Sequence, residues 1–363
     1  MNICIPKERR PFEFRVGLSP SAVQMLSKAG HKCFIEHDAG LVAGFSDLEY
    51  EHAGARIVYS SHEIFGRANL LVKVARPVFE EINWLEPGTT IAGLLHLNSA
   101  RQEKIDLLLK KQITAIALEQ IQLSDGRVPV RMALAHIGGQ MVPQIAARLL
   151  QNDSGGKGIL LGGVAGVPPA EVVVIGAGTV GKRATAAFIA VGAQVTVLDT
   201  DINALQEIHE RHPGIVTMVS NAVNIARVCR YADVLVGAIL VPGQRTPIVI
   251  SREMVQSMKA RSVILDISID EGGCVETSRP TNHDQATFID EGIIHYCVPN
   301  ISAVVARTST HAYINAALPF ILEIANKGVE TAISENLAIE RGVNTHQGRI
   351  INLSQFAPLG HQE

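Results

Sequence analysis

The sequence predicts an α/β protein with two domains, each built on a doubly wound parallel sheet. The chain has 363 residues, which is enough for two domains with separate cores. Its composition, 47% hydrophobic and 18% charged, is typical of a globular protein. Short apolar runs alternate with helix-length segments along most of the chain, and this alternation indicates parallel strands that are covered by helices.

Residues 171–199 have the pattern of a dinucleotide-binding unit. The apolar run 172–175 predicts a strand that is buried on both faces. Gly176, Gly178 and Gly181 follow it in the spacing G-x-G-x-x-G. In this pattern the first glycine permits a tight turn, the second lets the backbone approach a pyrophosphate, and the third lets the helix pack closely on the strand.

The end of the same stretch predicts which nucleotide binds. A helix over 182–191 presents free N–H groups to the pyrophosphate, and a second strand over 194–198 leads to Asp199. An acidic residue at this place accepts hydrogen bonds from the ribose hydroxyls and repels a 2′-phosphate. The sequence therefore predicts a Rossmann domain that binds NAD rather than NADP.

The composition also indicates what kind of protein this is not. The net charge is −3 and there is no long basic run, so we expect no nucleic-acid partner. The five cysteines show no C-x-x-C spacing, which indicates reduced thiols in a cytoplasmic protein without a metal site. Met1 leads directly into a predicted strand, so we expect no signal peptide. Proline and glutamate interrupt the most apolar stretch, 158–175, so we expect no membrane span.

The first domain is expected to comprise residues 1–128 and 301–363. Ser19 and Pro20 are typical of a helix start and Gly30 of a helix end. The predicted strands are 1–5, 32–36, 56–58, 70–74, 91–97 and 114–117, and the predicted helices are 21–29, 47–53, 60–67, 100–111 and 312–325.

Three polar residues lie where these strands end. Arg15 is in the loop after the first strand, Lys73 is at the end of the fourth, and His96 is near the end of the fifth. Because ligands bind outside the carboxyl ends of parallel strands, we expect these residues to lie in one crevice. Each also has an ordinary interpretation, His96 as a buried core histidine and the two cations as solvated surface residues.

The second domain is expected to span residues 129–300. A long helix over 132–150 and a glycine-rich loop over 153–167 precede the dinucleotide strand. Beyond Asp199 the predicted strands are 215–219, 234–239, 262–267 and 294–298, and the predicted helices are 224–231 and 251–258. Asp270 directly follows one of these strands, where it borders the expected nicotinamide site; its ordinary interpretation is a turn residue.

Several motifs together make the chain similar to a known family. They run from IPKERRPFEFRVGLSP through LLVKV, GLLHL, GGKGILLGGVAGV, VVVIGAGTVG and VTVLD to GAILVPG, DISIDEGGC and RTSTHAYINA. In sequence and order they resemble the alanine dehydrogenases, which share their fold with the dinucleotide-binding subunit of the proton-pumping nicotinamide nucleotide transhydrogenase. The transhydrogenase subunit is the poorer match, because the chain has no insertion like the mobile loop of that subunit.

The resemblance implies reversible oxidative deamination of L-alanine to pyruvate and ammonium with NAD, by a homo-oligomer that is usually a hexamer. It implies that Arg15 binds the substrate carboxylate and that Lys73 holds the carboxylate and carbonyl oxygen. It implies that His96 is the acid/base catalyst and that Asp270 works with it on water or ammonia. The implied cofactor-binding residues are Gly176, Ala177, Gly178, Thr179, Val180, Gly181, Asp199, Ser220, Ile239, Leu240, Ile267, Val298, Asn300 and Ile301.

The chain departs from the family at several positions that we expect near the cofactor and the rim of the active site. They are Arg76, Ala135, His136, Ala204, Ile301, Ser302 and Ala306. Arg76 replaces an acidic residue, and together with His136 it favours a first alternative, a related dehydrogenase for another small amino or oxo acid. A second alternative is an NAD(H)-binding paralogue without turnover.

Overall fold

A computed structural model describes residues 1–241 and 244–353. The chain divides into two compact units: unit 1, Met1–Leu134 with Ser302–Glu363, and unit 2, Ala135–Ile301. Unit 1 is therefore discontinuous in sequence. Pro242 and Gly243 of the GAILVPG motif, and residues 354–363 of the predicted first domain, lie outside the described residues.

The described part of unit 1 contains an eight-stranded sheet in the order β15-β14-β6-β5-β4-β1-β2-β3. Its strands are β1 (Asn2–Ile5), β2 (Lys32–Glu36), β3 (Arg56–Val58), β4 (Leu70–Ala75), β5 (Thr90–Leu94), β6 (Thr114–Ala117), β14 (Val343–His346) and β15 (Arg349–Ile350). The first six strands are parallel, whereas β14 pairs antiparallel with both β6 and β15. The carboxyl ends of β4, β5 and β6 therefore lie side by side at one edge of the sheet.

Helices cover both faces of this sheet. They are α1 (Pro20–Lys28), α2 (Asp47–His52), α3 (Ser61–Gly66), α4 (Phe79–Trp84), α5 (Gln102–Lys110), α11 (Ala306–Lys327), α12 (Val329–Glu335) and α13 (Leu337–Gly342). In β1, Ile3 and Ile5 belong to the core that includes Tyr313 of α11, whereas Cys4 belongs to the opposite core with Phe65 of α3. The alternation follows from the two-residue period of a strand and explains why β1 is apolar throughout.

The described part of unit 2 contains a seven-stranded sheet in the order β12-β13-β11-β10-β7-β8-β9. Its strands are β7 (Glu171–Ile175), β8 (Gln194–Asp199), β9 (Val216–Val219), β10 (Val234–Gly237), β11 (Val263–Asp266), β12 (Thr287–Asp290) and β13 (Ile293–Tyr296). Its helices are α6 (Pro129–Leu149), which begins in unit 1, α7 (Thr179–Ala190), α8 (Ile202–Arg211), α9 (Ala222–Cys229) and α10 (Arg252–Gln256). Without β12, the only antiparallel strand in this described sheet, the strand order is that of a Rossmann fold.

The predicted α/β class is confirmed, with two mostly parallel sheets covered by helices. The sequence did not predict the antiparallel strands β12, β14 and β15. The predicted strand over 91–97 is wrong at its end, because β5 stops at Leu94 and the backbone of His96 is left-handed. Likewise β11 ends at Asp266, before a short 3-10 helix over Ile267–Glu271. Among the described helices, none has both the length and the apolar character of a membrane span.

Candidate active site

Gly176, Gly178 and Gly181 lie in the turn after β7 and in the first turn of α7, and each is a glycine for a different structural reason. Gly176 has a φ of +109°, and a Cβ there would lie 2.3 Å from the carbonyl oxygen of Ala238. A Cβ on Gly181 would lie 1.8 Å from the oxygen of Gly176. A Cβ on Gly178, the residue before α7, would meet nothing within 4 Å. The first and third glycines are required by packing, whereas the second faces open space at the N-terminus of α7, where an anion is stabilised.

Asp199 lies at the end of β8 and is oriented by this turn. Its carboxylate accepts the backbone N–H of Ala177 at 2.5 Å and that of Asp201 at 2.8 Å. Its own carbonyl oxygen accepts the N–H of Ser220 at 2.8 Å. These contacts hold the carboxylate beside the glycine turn, so the residues present fit the ribose and pyrophosphate of a dinucleotide.

The remaining predicted cofactor residues follow the carboxyl ends of the parallel strands or begin α7. Thr179 and Val180 begin α7, Ile239 and Leu240 follow β10, Ile267 follows β11, and Val298, Asn300 and Ile301 follow β13. The N–H of Ile239 donates to the hydroxyl of Ser268 at 2.9 Å. Val298 and Ile301 are only 3% and 6% exposed, because their side chains pack in the core of unit 2. These two residues can therefore contact a nucleotide through their backbone but offer little side-chain surface.

Asp270 lies in the 3-10 helix that follows β11 and is exposed. Its two carboxylate oxygens lie 3.0 and 3.3 Å from the N–H of Asn300, which donates to them. Asn300 has a left-handed backbone with a φ of +53°. The structure thus brings together two predicted site residues, one from the catalytic set and one from the cofactor set.

Asp266 supports the segment that carries Asp270, and sequence reasoning missed it. It is fully buried and accepts the N–H groups of Ser268, Cys274 and Val275. Burial raises the pKa of this carboxyl. The hydrogen bonds from its neighbours lower the pKa but do not cancel the effect of burial. The signal was available, since an acid ends the apolar run VILD just as Asp199 ends VTVLD.

In unit 1, His96 lies two residues beyond the end of β5 and its side chain is half exposed. Its interpretation as a core histidine is therefore wrong. The backbone has a φ of 43° and a ψ of 42°, a conformation that costs a non-glycine residue about 1–2 kcal/mol. Glu119, buried in the 3-10 helix (Leu118–Gln120) that follows β6, accepts the N–H of His96 at 2.6 Å and that of Leu95 at 3.1 Å. Its carboxylate also lies 3.9 Å from Nδ1 of the imidazole.

Arg76 follows directly after β4 and contacts the same turn. Its Nη1 donates to the carbonyl oxygen of His96 and to the hydroxyl of Ser99, each at 3.2 Å. The hydroxyl of Ser99 in turn donates to the same carbonyl at 3.1 Å. Arg76, one of the departures from the family pattern, is thus a direct neighbour of the predicted catalytic histidine.

Lys73 has no exposed surface, so its interpretation as a solvated cation is wrong. Its ammonium lies 2.9 Å from a carboxylate oxygen of Glu81 and 3.1 Å from one of Glu8. Both carboxylates are buried, and Glu8 also accepts the N–H of Val74 at 2.6 Å. The backbone carbonyl of Lys73 accepts the hydroxyl of Tyr313 at 3.0 Å.

One ammonium shared between two carboxylates determines the protonation of this buried cluster. Burial raises the pKa of Glu8 to about 7, although the charge of Lys73 lowers it. Burial alone would lower the pKa of Lys73, but the charges of Glu8 and Glu81 outweigh it and the pKa is raised. Near neutral pH the lysine is therefore charged, while Glu8 carries a proton in a large fraction of molecules.

Arg15 is also buried, at 2% exposure, which contradicts its interpretation as a surface cation. Its guanidinium donates through Nε and Nη2 to Glu13 at 2.7 and 2.6 Å. Its Nη1 donates to the hydroxyl of Ser302 at 3.3 Å. Ser302 is another departure from the family pattern, so a second departure contacts a predicted site residue.

Tyr313 of α11 contacts the Lys73 segment, because its hydroxyl donates to the carbonyl oxygen of Lys73. Burial raises the pKa of its hydroxyl, and the charges of Glu8 and Glu119 raise it further while Arg15 lowers it. This phenol therefore lies within electrostatic reach of the Arg15 loop, the Lys73 cluster and the carboxylate that holds His96. Sequence reasoning missed Tyr313, because its helix is separated from these segments by the whole of unit 2.

A possible metal-binding group is found elsewhere in unit 1. His37, Asp38 and Asp47 place ligand atoms within 4.8 Å of one another. The imidazole of His37 lies 2.5 Å from Asp47 and 3.3 Å from Asp38, so the three side chains also form an ordinary exposed ion-pair cluster. That the protein has no metal site stays a prediction.

The fold and these residues define a class of protein. Unit 2 is a Rossmann domain whose glycine turn and Asp199 fit a dinucleotide, and unit 1 presents an exposed histidine together with buried cations. The combination is that of a two-domain, pyridine-nucleotide-dependent oxidoreductase.

Comparison with known proteins gives the family. The model of the alanine dehydrogenase/PNT N-terminal domain matches residues 4–137, and that of the C-terminal domain matches residues 142–353. The chain belongs to the alanine dehydrogenase/PNT family.

Individual relatives agree with this assignment over almost the full length. The chain is 43% identical to an alanine dehydrogenase of Methanococcus maripaludis, with 96% of this chain and 94% of the relative covered. It is 38% identical to one of Mycobacterium tuberculosis, with 99% and 97% covered. A solved L-alanine dehydrogenase superimposes with a TM-score of 0.93 at 39% identity, covering 97% of both chains. A transhydrogenase from Sinorhizobium meliloti, with a TM-score of 0.81 at 24% identity over 97% and 99%, shares the fold.

Proposed function

We propose that this protein is an NAD-dependent alanine dehydrogenase. The reaction is L-alanine, NAD⁺ and water to pyruvate, ammonium, NADH and a proton, and it is reversible. The observation that carries the proposal is the full-length similarity to alanine dehydrogenases, 43% identity over 96% of the chain in one of them. NAD is the cofactor of this family, and the glycine turn of unit 2 supports the same cofactor for this chain.

Unit 2, which we propose to be the NAD domain predicted at 129–300, binds the dinucleotide. The N–H groups at the start of α7, around Thr179 and Val180, bind the pyrophosphate through the open space at Gly178. Asp199 accepts the ribose hydroxyls. The 2′-phosphate of NADP would lie next to the carboxylate of Asp199 and be repelled by it. Asp199 therefore favours NAD over NADP.

Unit 1, which we propose to be the substrate domain predicted at 1–128 and 301–363, binds the amino acid. Arg15 binds the carboxylate, because a guanidinium forms paired hydrogen bonds with a planar anion. Since Nε and Nη2 already donate to Glu13, the substrate must bind through the Nη1 edge or replace Glu13. Lys73 supplies a second positive charge for the carboxylate and carbonyl oxygen. Direct contact requires a substrate oxygen to replace Glu8 or Glu81 at the ammonium, and Glu8 is the weaker partner because burial raises its pKa to about 7.

His96 and Asp270 carry the proton transfers. Bound NAD would supply the hydride acceptor, and oxidation of the substrate at its α-carbon would give an imine. The imidazole of His96 takes a proton from the attacking water and returns one to the departing ammonia, since an imidazole both accepts and donates protons near neutral pH. The carboxylate of Asp270 stabilises the positive charge of the imine and orients the water.

The first test is NADH formation with a panel of L-amino acids, run with NAD and again with NADP. We expect turnover of L-alanine with NAD and little with NADP. Turnover of another amino acid but not of alanine would favour the related dehydrogenase that Arg76 and His136 suggest. Tight NADH binding without turnover of any amino or oxo acid would favour the non-catalytic paralogue.

His96→Ala tests the proposed catalyst. We expect turnover to fall by about 10²–10⁴-fold, the range for loss of a general acid/base, with NADH affinity unchanged because unit 2 binds the nucleotide. His52→Ala, at an exposed histidine of α2, is the matched control and should behave as the wild type. Turnover retained in His96→Ala would mean that this histidine is structural.

We also propose that the chain forms a homo-oligomer, a hexamer by family resemblance. Light scattering of the purified protein checks this against the chain mass of 39.0 kDa. A mass close to that of a single chain at the concentration of the assay would contradict it.

A further inference from the structure

The turn that presents His96 is held from both neighbouring strands. β5 lies between β4 and β6 in the sheet. Glu119, from the 3-10 helix that follows β6, accepts the N–H of His96 at 2.6 Å. Arg76, from the end of β4, donates to the carbonyl oxygen of His96 at 3.2 Å. The negative carboxylate of Glu119 therefore faces the partly positive N–H of His96, and the positive guanidinium of Arg76 faces the partly negative carbonyl oxygen.

We infer that Arg76 is a positioning residue for His96. Its guanidinium bonds the carbonyl of His96 and the hydroxyl of Ser99, and this hydroxyl also donates to that carbonyl. Together these contacts close the turn on the side opposite Glu119 and fix the direction in which the imidazole leaves the backbone. The role of His96 itself rests on the proposed function; the geometry of the turn does not.

The residue type at this position matters chemically, because only a side chain with a donor can bond the carbonyl oxygen of His96. A carboxylate has no hydrogen to donate and would repel the carbonyl oxygen of His96. The contact from Arg76 therefore supports the turn in which His96 has a left-handed backbone, with a φ of 43°.

The test compares Arg76→Gln and Arg76→Lys with Arg127→Gln. Arg127 is an exposed arginine of the same unit that pairs with Asp125, and it serves as the matched control. For Arg76→Gln we expect kcat on the best amino acid of the panel to fall by about 10–100-fold, as for small misplacement of a catalytic group. The KM and the NADH affinity should change by less than about threefold, because no binding group is removed. Arg76→Lys retains a long donor and should recover part of kcat.

A second measurement does not depend on activity. Amide hydrogen exchange of residues 95–100 should be faster in Arg76→Gln than in the wild type, and unchanged in Arg127→Gln, because the turn has lost one of its supports. Ser99→Ala should accelerate exchange in the same segment to a smaller degree. Ser99→Ala replaces Arg76→Gln in the test if Arg76→Gln does not fold.

The outcomes separate the two ideas. Faster exchange in residues 95–100 together with lower kcat supports the inference. Unchanged exchange, or a raised KM at constant kcat, overturns it, and the latter would make Arg76 a substrate ligand. If the wild type turns over no amino or oxo acid while Arg76→Gln still accelerates exchange, the proposed function fails and the structural support by Arg76 stands.

Discussion

Replacing Lys73 by methionine separates the two roles that this residue can have. Its ammonium has no exposed surface and lies within 3.1 Å of two buried carboxylates, Glu8 and Glu81. If Lys73 is mainly their counter-ion, its loss destabilises unit 1. If it is mainly a substrate ligand, its loss raises the KM and leaves stability nearly unchanged.

The expected magnitude follows from this geometry. Methionine fills a similar volume but leaves two carboxylates together without a cation. Removing one partner of a buried ion pair typically costs about 3–5 kcal/mol. The cost should be larger at pH 8 than at pH 6, because burial raises the pKa of Glu8 to about 7 and its protonation at the lower pH relieves the repulsion.

The chain contains its own probe for this measurement. Trp84 is its only tryptophan, lies at the end of α4 in unit 1, and stacks with Arg9, which in turn pairs with Glu81. Urea unfolding followed by Trp84 fluorescence therefore reports on unit 1 separately from unit 2. Lys28→Met, at an exposed lysine of α1, is the matched control and should stay within about 0.5 kcal/mol of the wild type.

One result would refute the reasoning. If Lys73→Met unfolds at the same urea concentration as the wild type at pH 8 while its KM for the amino acid rises more than about tenfold, the lysine is a substrate ligand first. A double variant with Glu8→Gln adds a check. It should recover part of the lost stability, since one of the two uncompensated carboxylates is removed.

Three further predictions concern the nucleotide site and pH. Asp199→Ala should weaken NADH binding by about 10-fold or more through loss of charge-assisted hydrogen bonds to the ribose, measured by fluorescence titration; an unchanged affinity contradicts the ribose assignment. Gly181→Ala should abolish NADH binding and lower stability, because its Cβ would lie 1.8 Å from a carbonyl oxygen, whereas Gly178→Ala, in open space, should lower affinity without lowering stability. Burial raises the pKa of Glu8 from 4.5 to about 7, so the folded state keeps this proton longer than the unfolded state does, and about 3 kcal/mol of stability should be lost as pH rises from about 4.5 to 7; Glu8→Gln should remove this slope, and equal slopes would refute it.

The sequence predicted those parts of the site that depend on local order. Gly176, Gly181 and Asp199 belong to a contiguous strand–turn–helix–strand unit, and each glycine has a steric reason that its spacing already indicates. The carboxyl-end rule likewise predicted that Arg15 and Lys73 lie at a functional edge of the sheet, and their role there stays a prediction.

The environment of these residues was not predictable in the same way. The burial of Lys73 depends on Glu8 and Glu81, which come from the loop after β1 and from α4, and sequence order does not reveal that they meet. The conformation of His96 was missed because GLLHL reads as a continuous apolar strand, whereas carboxylate and guanidinium groups from neighbouring strands stabilise a left-handed turn there. Burial and strain at a site are set by distant partners.

The discontinuity of unit 1 has a consequence for how the chain is made. Thr345 of β14 bonds the carbonyl of Ile113 just before β6, 232 residues earlier. The sheet of unit 1 is therefore finished only when β14 and β15 have left the ribosome, whereas Ala135–Ile301 is complete well before that. We expect a nascent chain that is stalled soon after residue 301 has emerged to retain NADH on an affinity resin while its amino-terminal segment is still open to protease.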